Sequence, residues 1–72
     1  MKNYYGLREE LVNECVSWVD NLPEEEIKNE IKWGMLIDNF IILLAGEYHL
    51  TQEERKHISY TLDDLLTEKN KI

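Results

Sequence analysis

Met35-Leu36-Ile37-Asp38-Asn39-Phe40-Ile41-Ile42-Leu43-Leu44-Ala45 holds nine apolar residues in eleven, and that density decides how the rest of the chain is read. Wound as a helix at about 100° per residue, the nine side chains sweep an arc of roughly 280°. An ordinary surface helix carries a much narrower apolar stripe. A chain of 72 residues supplies two neighbouring helices at most, too few to shield such an arc. Part of this surface is therefore expected to meet another protein or a second copy.

Working outward, Asn21-Leu22-Pro23 and Gly46 bracket the segment. Proline fixes its own φ, biases the preceding residue away from helix and suits a first helical position. A second helix is predicted from Pro23 to Ala45, with Glu24, Glu25 and Glu26 in its first turn and Ile27, Ile31 and Gly34 on one stripe. Gly46 is expected to end it in a left-handed conformation, leaving Glu47 to Leu50 as a short connection; the alternative is a helix running on through Tyr48.

Upstream, Leu7, Leu11, Val12, Cys15, Val16, Val19 and Leu22 recur at three- and four-residue intervals. They predict a first helix from Tyr4 or Leu7 to Asp20, with Asn3 as N-cap. Downstream, Thr51-Gln52-Glu53-Glu54 reads as a capping box, in which the threonine hydroxyl and the Glu54 carboxylate each satisfy a backbone amide. A third helix is predicted from Gln52 to Lys69, with one apolar face of Ile58, Leu62, Leu65 and Leu66. No segment alternates as a strand does, and no internal repeat is evident. The short connections imply an all-α fold, a small antiparallel three-helix bundle with a long apolar central helix, in one domain over residues 1–72.

The charges are uneven. The net charge is −7, which opposes direct contact with nucleic-acid phosphates or an anionic membrane and favours a protein partner with a basic surface. Eight carboxylates fall between Glu9 and Glu30, namely Glu9, Glu10, Glu14, Asp20, Glu24, Glu25, Glu26 and Glu30, with only Lys28 opposing them. Grouped around the Pro23 turn, they are expected to form an acidic rim at one end of the bundle. Such a rim either keeps the protein soluble or occupies a basic channel as a nucleic-acid mimic. In size and acidity the chain resembles small phage-borne inhibitors, including some anti-CRISPR and DNA-mimic proteins. The resemblance rests on whole-chain composition and implies inhibition by contact.

Cys15 stands alone on an apolar face and is read as an inert core thiol in a reducing compartment. Residues 1–8 lead into an amphipathic helix and form no apolar leader, and the apolar run is too short to span a bilayer, so a cytoplasmic protein is expected. His49 and His57 lack the spacing of a helical metal motif. Asp63 and Asp64 are adjacent and diverge on a helix. No catalytic, cofactor or metal-binding residues are predicted, and an enzyme is not expected.

The expected function is binding that inhibits or regulates a protein partner. Trp33, Leu36, Ile42 and Leu43 are the predicted apolar contacts, with Asp38 as a polar determinant facing a partner's arginine. The alternatives are a structural homodimer packed through the central helices, and acidic mimicry of nucleic acid. Trp18, Tyr48, Tyr60, Tyr4 and Tyr5 are read as core-edge residues, and Asn39 as part of the solvent stripe.

Overall fold

A computed structural model describes residues 6–71. It is all-helical among those residues, with α1 (Glu9–Asp20), α2 (Glu24–Lys28), a 3-10 turn (Glu30–Lys32), α3 (Trp33–Glu47) and α4 (Gln52–Asn70). Asn3, Tyr4 and Tyr5, for which a cap and core-edge roles were expected, lie outside the described residues.

The first helix starts at Glu9, later than its apolar spacing predicts. Gly6 sits at φ 74°, a left-handed conformation that suits glycine and interrupts helical winding there. Arg8 occupies the cap position without a side-chain cap bond, and its carbonyl accepts from the Leu11 and Val12 amides. At the other end Asn21 closes α1, its side-chain amide donating to the Ser17 carbonyl at 2.8 Å. Pro23 stands one residue before α2 rather than inside it.

The expected continuous helix from Pro23 to Ala45 is broken. Asn29, at φ −97° and ψ 78°, leaves the helical region, and the Lys32 amide then bonds the Asn29 carbonyl to start the 3-10 turn. The break is held by a buried tertiary bond, as Trp33 Nε1 donates to the Ile27 carbonyl at 2.9 Å. Asparagine is a weak helix former because its amide competes for nearby backbone groups. The freed short α2 packs on α4, where Lys69 meets Asp20 at 3.1 Å and Asn70 donates to Glu30 at 3.1 Å.

At its far end α3 passes through Gly46 and stops at Glu47, with Tyr48 extended. Gly46 is therefore an interior helical residue and not the left-handed stop. The capping box forms as predicted. Thr51 Oγ1 accepts from the Glu54 amide and the Glu54 carboxylate accepts from the Thr51 amide, both at 3.0 Å.

The central element is α4, not the apolar α3. α1, α2 and α3 all pack against α4, and Ile58, Thr61, Leu62 and Leu66 along it are completely enclosed. Thr61 can be buried because its hydroxyl donates to the His57 carbonyl one turn back, at 2.8 Å, so no polar atom is stranded. Leu11, Cys15 and Val19 close the core from α1, and Ile37, Phe40 and Leu44 from α3. Trp18 stacks on Phe40 with centroids 4.7 Å apart and planes 18° from parallel, joining α1 to α3. The molecule measures 31 × 26 × 17 Å, and among the described residues Met35, Ile42 and Leu43 on the back of α3 stay exposed.

Candidate functional site: the outer face of α3

Trp33, Ile37, Phe40 and Leu44 recur at spacings of four, three and four and define the core side of α3. Met35 and Ile42, seven residues apart, point nearly opposite, about 170–190° around the axis. Asn39 and Gly46 lie between them and Leu43 on the wheel, while Asp38 falls on the other flank. The exposures follow this geometry: Met35 is 58% exposed, Ile42 68% and Leu43 69%. Ile31, one turn before Met35 in the 3-10 segment, is 96% exposed. Ile31, Met35, Ile42 and Leu43 leave open an apolar area on the order of 500 Å², toward the top of the range of about 300–600 Å² for the largest patch on a typical monomer.

The structure places the predicted contacts differently. Ile42, Leu43 and Asp38 are exposed, Asn39 is on the solvent side and Leu36 is half-buried at the edge. Trp33 is a correction. It is only 7% exposed, its indole committed to the Ile27 carbonyl, so it belongs to the core and not to the surface. Ile31, expected on a core stripe with Ile27, faces outward because the break at Asn29 rotates it away. Met35 was within reach of the sequence, since its wheel position adjoins Ile42; Ile31 was not, because nothing local announces the break.

The eight acidic residues do not form one rim. α1 is about 18 Å long, so Glu9 and Glu10 at its start lie far from Asp20 and the α2 glutamates at its end. Near the start, the charges of Glu10 and Glu14 of α1 and Glu47 of α3 all act on Tyr48. The Tyr48 hydroxyl is raised above its ordinary pKa, first by burial and then by the charges of Glu14, Glu47 and Glu10, with Arg8 pulling the other way. At the α1–α2 end, Asp20 is paired with Lys69, Glu24 with Lys28 at 3.2 Å and Glu30 with Asn70. A phosphate mimic needs a continuous run of free carboxylates, and this arrangement splits and partly neutralises the set.

Elsewhere among the described residues, a cleft of about 600 Å³ between the start of α3 and the middle of α4 is lined by Glu30, Tyr60, Asp63 and Ser59 beside Trp33 and Ile37. Among the described residues, no group of three or more His, Cys, Asp or Glu side chains converges as metal ligands do. Burial, then the neighbouring Glu14 charge, pushes the Cys15 thiol up to about 12, so it is held protonated and unreactive. No helix among the described residues is long and apolar enough to cross a membrane. Compared with known proteins, the chain matches no family model, no curated protein and no solved structure.

Proposed function

We propose that this protein works without catalysis, by docking the outer face of α3 on a protein partner that it inhibits or regulates. The observation that carries the reading is the set of large apolar side chains opposite the core, above all Ile42 and Leu43 at more than two-thirds exposure. Water-exposed groups of this size destabilise nothing while solvated, but burying each against a partner contributes about 1.5–3 kcal/mol. Asp38 lies exposed at the edge of the patch and supplies a polar determinant for a basic residue of the partner. The free glutamates of α1 and α2 add attraction toward a basic surface at longer range. A reducing cytoplasmic setting suits the single enclosed thiol.

The test is capture of bound proteins from the native host with tagged wild type, Ile42→Glu and Leu43→Glu. Both variants are expected to keep the wild-type helical signal and to lose the captured protein. Retention of the same protein by both removes this face from the interaction.

A further inference from the structure

On the footing of the docking reading above, we propose that in the free protein the outer face of α3 pairs with the same face of a second copy, antiparallel, about a two-fold axis passing beside Asn39, and that a docked partner takes the second copy's place.

The face is self-complementary. Asn39 lies at the midpoint of the patch, and the residues on either side of it match under reversal of the chain direction. With Asn39 on the axis, Met35 lies four residues before it and Leu43 four after, Leu36 three before and Ile42 three after. On the wheel, Leu36 and Leu43 share one flank, while Met35 and Ile42 share the other. An antiparallel two-fold keeps each flank on its own side. It therefore sets Leu36 against the second copy's Leu43, and Met35 against its Ile42, at matching heights. Gly46 lies near the seam with open space around it, which permits close approach. The two Asn39 amides meet as donor and acceptor, the kind of single polar pair that fixes register in helical seams.

Charge supports the antiparallel sense. The first end of α3 carries Lys32, and the last end carries Glu47 with Glu10 and Glu14 nearby. Antiparallel pairing sets each Lys32 against the other copy's acidic end. Parallel pairing sets acid on acid. Asp38 falls roughly 100° from the seam centre and stays in water, so the carboxylates of the two copies are not forced together. Met35, Ile42 and Leu43, with the open part of Leu36, expose on the order of 350–400 Å² per copy, so the pairing covers on the order of 700–800 Å², a small interface of the weak, concentration-dependent class below about 1,200 Å².

The experiment measures the mass of the full chain by sedimentation over a micromolar concentration series, alongside five variants. A dimer is expected for wild type and a monomer of unchanged helicity for Leu43→Glu. Lys32→Glu is expected to weaken association about tenfold, because two symmetric attractions turn repulsive, and Lys32→Glu with Glu47→Lys to restore it. Under a short thiol cross-linker, Asn39→Cys is expected to form a covalent dimer and Asp38→Cys not to, with the enclosed Cys15 silent in both. If Leu43→Glu loses helicity, the charge swap and the cross-links decide. A monomeric wild type throughout the series, or a dimer indifferent to both Leu43→Glu and the charge swap, overturns the pairing. A monomer that still loses its captured protein on Leu43→Glu sinks the pairing alone and leaves the docking face standing.

Discussion

Cys15 and Thr51 are the single residues whose environments make the sharpest demands. The Cys15 thiol is completely enclosed and raised to about 12 from 9.0. A raised pKa in the folded state means that the unfolded chain releases its proton first, so stability is full below pH 9 and declines as pH climbs toward 12. Urea midpoints at neutral and alkaline pH should show this loss, and Cys15→Ala should flatten it at the cost of a small cavity. Alkylation of native Cys15 should be far slower than that of the denatured chain. Glu54 has the opposite sign. Its carboxyl is held below the ordinary range, first by the Thr51 backbone amide and further by Arg8, whose Nε lies 2.9 Å away. That contribution is present above the ordinary carboxylate range and is lost as pH falls through the lowered value. Thr51→Ala, which removes the hydroxyl that accepts from the Glu54 amide, should cost about 1 kcal/mol in denaturant unfolding at neutral pH.

Among the elements, α3 and α4 divide their roles against first appearances. α3 has the broader apolar arc, yet α4 has the residues enclosed on both flanks. Leu62→Ala on α4 should therefore cost about 2–5 kcal/mol, while Leu43→Ala on α3, measured at a dilution where the chain is monomeric, should fall within about 0.5 kcal/mol. Parallel chemical denaturation of the two variants checks the contrast, and equal losses would place Leu43 in the core. The same contrast explains what could be read without the structure. The Thr51 cap was legible because its donors and acceptors lie within four residues. The helical class and the excess of apolar surface around Ile42 and Leu43 were legible because spacing alone fixes angular position. The break at Asn29 was not, since it is stabilised by the Trp33 indole reaching back to a buried carbonyl. The centrality of α4 was hidden because wheel angles give the direction of each side chain but not which neighbour arrives to cover it, and because Thr61 reads as polar until its bond to the His57 carbonyl is seen.

At the scale of the whole molecule, the described helices enclose one core around α4, and among the described residues Met35, Ile42 and Leu43 on the outer face of α3 stay exposed. The acidic groups divide between the start of α1 and the α1–α2 turn. Attraction to a basic partner should consequently be spread and moderate, and raising salt should slow association more than it speeds release. Stopped-flow binding to the captured partner at two ionic strengths measures that split.

Met35 offers a direct probe of whether this outer face is open by itself and closed when the protein is at work. The decisive quantity is its oxidation rate by dilute peroxide, read by mass on the peptide that contains it, for the purified chain at high dilution and for the assembled protein. Rapid oxidation is expected when dilute, and strong protection on assembly. A thioether already protected at high dilution, or equally reactive in both states, contradicts that expectation.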